Sequence, residues 1–166
     1  MRILLILLSE EATVDGGLLT LGGFASAYYV FRDASIDLIL ASRSGGYLFL
    51  NNSGIGTPEE IAAARRFQAD TPARDELRDT ICLDDVHVED LDGAMCLGPT
   101  AGGTASLLSD RAIFLISNLL TLGKPVAATP ANIASAVGSG PLIAGDPADS
   151  PLHVANALVG ALNNAT

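Results

Sequence analysis

The sequence contains no tryptophan, 2 cysteines, 2 histidines and nine lysine and arginine residues in total. The basic residues form no cluster, and nineteen acidic residues give a formal net charge of −10. Such a chain repels phosphate backbones and anionic lipid surfaces. We therefore expect neither nucleic acid nor a membrane as a partner.

The few cysteines and histidines also limit the chemistry. Cys82 and Cys96 lie in apolar contexts and are predicted to be reduced, buried thiols of a cytoplasmic protein. His87 and His153 are far apart, so the zinc-type spacing of Cys and His is missing. We expect no metal and no cofactor.

What the chain does contain is apolar residues, which make up 49% of its 166 positions. This length and composition predict one soluble domain over residues 1–166 with a substantial core. The apolar start, Met1–Leu8, is short and is followed by Glu10 and Glu11, so we interpret it as a buried strand and not as a signal peptide.

Apolar runs alternate with helical periodicity along the chain, which predicts an α/β fold with a mainly parallel sheet. We expect a flavodoxin-like, three-layer α/β/α sandwich. The predicted strands are residues 2–8, 36–41, 93–97 and 126–128. The predicted helices begin near residues 21, 57, 71, 109 and 150, with a short one after residue 130.

Several stretches resemble the ThiJ/PfpI superfamily of type 1 glutamine amidotransferase-like proteins, in its branch of stress chaperones and glutathione-independent glyoxalases. Ala27–Ala34 is similar to the family's P-Y-Y-V-F-K-D-A, and Leu40–Gly46 to its L-A-S-P-K-G-G. Arg66–Asp70 resembles R-F-K-A-D, Glu89–Ala94 resembles E-D-Y-D-A-V, and Gly123–Ala128 matches G-K-P-V-A-A. The stretches occur in the family's order, which makes their combination more specific than any one of them.

The resemblance implies a catalytic Cys on a strand-to-helix elbow, a His directly after it and a Glu on the first helix. The chain departs from this pattern at all three positions. Pro130 stands at the Cys position, Ala131 at the His position and Gly23 at the Glu position. We interpret the chain as a pseudoenzyme that has lost the family's catalysis. A changed mechanism could compensate for one replaced residue, but several replacements in one pocket indicate that the reaction has been lost.

The remainder of the implied site is also altered. The family's P-G-G-H-G loop is Leu97–Ala101 here, with Pro99 in place of a glycine whose N–H it cannot supply. We expect a vestigial pocket without catalytic residues, formed by Gly23, Cys96, Gly98, Pro99, Thr129, Pro130 and Ala131. We also predict that the elbow has relaxed, with Thr129 as a helix N-cap and Pro130 as the first helical residue.

Other residues with possible chemistry have more ordinary interpretations. Cys96 could border the old pocket but is better explained as a core thiol. Glu10 and Glu11 could form a carboxylate pair, but solvated loop acids are commoner. The glycine pairs Gly16–Gly17 and Gly102–Gly103 could hold a phosphate but lack the spacing of known phosphate-binding motifs. Ser135 lacks the G-x-S-x-G context of a serine nucleophile.

These observations leave more than one function open. The favoured hypothesis is a non-catalytic domain that acts in binding or assembly as a homodimer, with an unknown small-molecule ligand. The alternative is a small-carbonyl enzyme (glyoxalase or deglycase) or an amidase or peptidase that uses displaced residues. A holdase chaperone is a third possibility, implied only by the family branch.

Overall fold

The computed structural model describes residues 1–8, 19–99, 108–131, 133, 140–145 and 150–165. Six strands form one sheet in the order β3-β2-β1-β4-β5-β6, and every neighbouring pair is parallel. The strands are β1 Arg2–Leu7, β2 Asp37–Ser42, β3 Ile81–Cys82, β4 Gly93–Leu97, β5 Val126–Thr129 and β6 Leu142–Ala144. Apart from the short β3, this order is the flavodoxin-like one, which confirms the predicted fold class.

Five α-helices accompany the sheet in the described part of the chain: α1 Leu21–Asp33, α2 Pro58–Ala69, α3 Thr71–Arg78, α4 Asp110–Thr121 and α5 Pro151–Asn164. Their starts follow the local sequence. At α2, Thr57 Oγ1 accepts from the Glu60 N–H at 3.2 Å, while the Glu60 carboxylate accepts from the Thr57 N–H at 3.1 Å. This capping box and Pro58 at the first helical position explain the predicted boundary.

Side-chain alternation along the strands divides the core into two layers. One layer packs against α1 and α5 and includes Ile3, Leu5 and Leu97, and the other packs against α4 and includes Leu4 and Ile6. Full burial of each such side chain stabilises the fold by roughly 1.5–3 kcal/mol relative to exposure. The β1 strand contributes to both layers because it lies in the middle of the sheet.

Two strands were not predicted from the sequence. β3 has 2 residues and β6 has 3, and each lies at an edge of the sheet. Segments this short carry no periodic pattern, so they are defined by the neighbour to which they hydrogen bond. In the described part of the chain, no helix combines the length and apolar character needed to cross a membrane.

Candidate functional site

The candidate site lies where the carboxyl ends of β4 and β5 meet, beside the start of α1. In a parallel sheet this edge collects ligands, particularly where the strand order reverses. Leu97 pairs with Thr129 at the end of the ladder, and the Gly98 N–H donates to the Thr129 carbonyl at 2.9 Å. Gly98 and Pro99 are buried. The structure therefore brings Gly98 and Thr129 together at this edge.

Cys96 lies in β4 but on the other side of the sheet. Its neighbours in register are Ile6 and Ala128, and it belongs to the core layer that packs against α4. The side chain is fully buried, which raises the pKa of the thiol to about 12. Burial disfavours the thiolate that nucleophilic chemistry requires. The structure thus places Cys96 in the core, across the sheet from α1 and Gly23.

Gly23 occupies the first turn of α1, where a side chain would be crowded. Its N–H donates to Thr20 Oγ1, the helix N-cap, at 3.1 Å. A Cβ atom at this position would lie 2.9 Å from Thr20 Oγ1 and 3.3 Å from Cγ of Pro151. The position to which the resemblance assigns a glutamate is therefore crowded by Thr20 and by the start of α5.

The first turn of α5 fills the space between α1 and the end of β5. Pro151 faces Gly23, and one turn later Val154 packs so closely on Gly145 that a Cβ there would clash with it. The same Cβ would lie 3.6 Å from Thr129, so Gly145 lies between Val154 and the end of β5. Among the described residues, Pro151 and Val154 thus place apolar side chains beside Gly23 and Gly145.

Glu60 ties this helix start to α2. Its carboxylate accepts from Ser150 Oγ, the N-cap of α5, at 2.9 Å while it completes the capping box of α2. The sequence predicted the capping box but not this second contact, because Ser150 lies 90 residues away. Glu60, Ser150 and Pro151 form a brace that sequence reasoning did not assign to the site.

The former elbow differs from the prediction. Thr129 is the last residue of β5 and not a helix N-cap, and the Thr129–Pro130 peptide bond is cis. A 3₁₀-type hydrogen bond follows, in which the Ile133 N–H donates to the Pro130 carbonyl at 3.2 Å. The turn therefore begins one residue later than predicted. None of Thr129, Pro130 and Ala131 has a positive φ, which agrees with the predicted loss of a strained elbow.

The remaining residues with possible chemistry include both cysteines. Cys82 and Cys96 are free thiols, as predicted, but only Cys96 is buried. The prediction of a buried Cys82 was wrong, because this residue lies half-buried in the short edge strand β3, where its thiol donates to the Arg43 carbonyl at 3.3 Å. Among the described residues, no three His, Cys, Asp or Glu side chains converge as metal ligands would. The predictions for Glu10, Glu11, Gly16–Gly17, Gly102–Gly103 and Ser135 lie outside the described residues.

A groove lies on the outer surface, between α1 and α2. It has a volume of about 280 Å³ and is lined by Ser26, Tyr29, Val30, Asp33, Ala62, Ala63, Arg66 and Leu152. Arg66 closes one end through a bidentate ion pair with Asp33, both N···O distances being 2.8 Å, and stacks over Tyr29 at 3.7 Å. The hydrogen bond from Arg66 lowers the pKa of Asp33.

The polar groups of this groove are already paired. The Tyr29 hydroxyl donates to the Asp70 carboxylate at 2.9 Å. Burial is the main cause that raises the pKa of Tyr29, and this hydrogen bond raises it further. Tyr29, Asp33, Arg66 and Asp70 all belong to stretches that carry the family resemblance. Their contacts join α1 to α2, so in this structure they pack helices together and hold no reacting group.

Comparison with known proteins gives a fold but no close relative. No protein-family model and no curated protein matches the chain. Among solved structures, the Francisella tularensis Rapid Encystment Protein 24 KDa is similar with a TM-score of 0.71 and 12% identity, over 97% of this chain and 98% of that one.

Two further structures extend the comparison. A ThiJ/PfpI domain protein from Brachyspira murdochii has a TM-score of 0.58 and 16% identity, over 98% of this chain and 96% of that one. Drosophila melanogaster DJ-1beta has a TM-score of 0.58 and 16% identity, over 97% of this chain and 90% of that one. The resemblance inferred from the sequence is thus confirmed in three dimensions: nearly the whole chain has the fold of the DJ-1/ThiJ/PfpI proteins.

Proposed function

We propose that this chain is a non-catalytic member of the ThiJ/PfpI group that acts in binding or assembly. The observation that supports the proposal is the crowding at Gly23: Pro151 packs against the position where the resemblance implies a catalytic glutamate. Pro130 and Ala131 replace the nucleophile and its neighbour. A proline carries neither a nucleophile nor an N–H that could stabilise an oxyanion.

The two thiols of the chain do not replace the missing nucleophile. Cys96 is fully buried, and its pKa of about 12 keeps it protonated at neutral pH. Cys82 is half-buried at the far edge strand, where its sulfur lies 3.3 Å from the Arg43 carbonyl and 3.9 Å from a carboxylate oxygen of Asp84. Neither neighbour supplies the positive charge that reactive cysteines use. The alternative of displaced catalytic residues therefore has no thiol in a suitable environment in the described part of the chain.

Turnover measurements test the proposal. The purified chain should hydrolyse no peptide or amide and should convert no methylglyoxal above the buffer rate. A Pro130→Cys variant should be equally inactive, because Gly23 offers the new thiol no carboxylate partner. Cys96→Ala and Cys82→Ala serve as matched controls. Turnover that either control abolishes would overturn the proposal and favour the displaced-residue enzyme.

The assembly part of the proposal is a homodimer. The chain combines 49% apolar residues with a net charge of −10, and several large apolar side chains remain exposed on its described surface. Exposed apolar surface of this kind marks contact sites in folded proteins. We place the domain in the cytoplasm as part of the same proposal, on the basis of its two unpaired thiols.

A further inference from the structure

The helix pair α2–α3 forms an outer layer of the molecule, and its main support is α1. Of the 12 residues of α2, Phe67 alone is buried, and α3 adds Ala73 and Leu77. Central elements such as β1 are instead buried along nearly their whole length. An element with few buried apolar contacts opens at a lower free energy than the core, and polar contacts account for more of its docking.

Two ion pairs join this layer to the last two residues of α1. The Asp33 carboxylate accepts from both terminal nitrogens of Arg66 in α2, each at 2.8 Å, and Arg32 pairs with Glu76 in α3. Arg32 and Asp33 are also the only charged residues of α1, so α1 has no net charge and the two pairs set the electrostatic part of the contact. The Arg66 and Asp33 side chains are 52% and 59% exposed, so dissolved ions can screen their pair.

The two ends of the layer are anchored separately from these ion pairs. At the start of α2, the Glu60 carboxylate accepts from Ser150 Oγ of α5 at 2.9 Å. Beyond the end of α3, Thr80 is buried, and its Oγ1 lies 2.9 Å from Oγ of Ser42, the last residue of β2. Residues 61–79 can therefore lift away from α1 while both ends of the segment remain attached to the rest of the domain.

We propose that residues 61–79 form an ion-sensitive latch, which lifts from α1 more often when salt screens the pairs made by Arg32 and Asp33. The rest of the domain responds to salt in the opposite sense, because screening relieves the self-repulsion of a chain with a net charge of −10. Lifting uncovers the aromatic side chains of Phe24 and Tyr28, which pack against α2 in the closed state. Ionic strength thus controls how often this apolar face of α1 is accessible.

Amide hydrogen exchange of the whole chain, followed by mass spectrometry in 0.1 M and 1 M NaCl, tests the latch. After correction for the intrinsic exchange rates, the amides of α2 and α3 should exchange about 3- to 10-fold faster at the higher salt, because exposed ion pairs lose most of their attraction there. The amides of β1 and β4 should exchange no faster. The latch is overturned if α2 and α3 do not respond to salt, or if they accelerate only together with the strands.

A double variant identifies the groups responsible. Asp33→Asn with Glu76→Gln removes both ion pairs, so α2 and α3 should exchange fast already in 0.1 M NaCl and should respond little to added salt. Asp75→Asn is the matched control, because Asp75 pairs with Arg78 within α3, and it should respond as the wild type does. A double variant that keeps the full salt response overturns the assignment to these pairs. The wild-type measurement tests the latch even if the double variant fails to fold.

Discussion

Two regions of the molecule differ in how well their residues match the family's pattern. Between α1 and α2, the residues of the shared stretches contact one another: Phe67 packs on Tyr28 with centroids 6.0 Å apart, and Arg66 pairs with Asp33. At the start of α1 and the end of β5, the positions assigned to catalysis hold Gly23 and Pro130. The difference shows that the resembling stretches preserve helix packing, which a chain needs whether or not it catalyses a reaction.

The largest expected effect tests the packed region. Phe67 is 3% exposed and its ring meets Phe24 edge to face at 5.3 Å. Phe67→Ala should lower the free energy of unfolding by about 3–5 kcal/mol, because it removes apolar contacts and leaves a cavity. Urea denaturation of this variant and of Phe114→Ala, whose ring is largely exposed, measures the contrast. A loss below about 1 kcal/mol would mean that α2 is not part of the core.

The next effect tests the start of α1, where Pro151 packs against Gly23. Gly23→Glu restores the side chain that the resemblance implies, but its Cβ would press on Thr20 and Pro151. We expect the free energy of unfolding to fall by about 1–2 kcal/mol, since overpacking against Pro151 outweighs the favourable charge at a helix start and the capping box that a glutamate could form with Thr20.

A matched glycine substitution controls for helix propensity. Gly160 lies in α5 with open space around its Cα, so Gly160→Ala should stabilise the chain by about 0.5–1 kcal/mol. If Gly23→Glu proved as harmless as this control, the edge would be open and the distinction between the two regions would fail.

The smallest effect concerns the buried thiol. Because the pKa of Cys96 is raised to about 12 in the folded state, the unfolded chain loses this proton first as pH rises above about 8.5. Stability should therefore fall with pH by up to about 1.4 kcal/mol per unit, amounting to about 2 kcal/mol at pH 10.

Comparison with Cys96→Ala isolates this contribution from other titrating groups. The variant has its own cavity cost at pH 7, but the difference between the two free energies of unfolding should shrink from pH 8.5 to 10. A pH-independent difference would show that the thiol is accessible to solvent in the native state.

The sequence predicted most of the helices because their start signals are local. Thr57, Pro58 and Glu60 lie within one turn, and Ser150 with Pro151 marks α5 in the same way. Long central strands such as β1 were predicted for a similar reason, since a continuous apolar run indicates a strand buried on both faces.

The site could be predicted less well because long-range contacts define it. Thr129 was expected to cap a helix, yet its carbonyl accepts from Gly98 and keeps it in the sheet. Pro151, which crowds Gly23, lies far along the chain, and no local sequence pattern predicts such a contact. Comparison with the family's pattern suggested that catalytic residue types are missing, and the structure adds that Thr20 and Pro151 crowd Gly23, where the glutamate is implied.

The docking of α5 on α1 also orders events during synthesis. Val154, Ala155, Leu158 and Leu162 complete the core layer that begins with β1 and α1, whereas the layer beneath α4 needs no part of α5. On the ribosome, the α4 side can therefore close first, while the part of α1 that packs on α5 stays uncovered until α5 has emerged from the exit tunnel. During that interval the nascent chain presents this apolar surface to chaperones and to neighbouring chains.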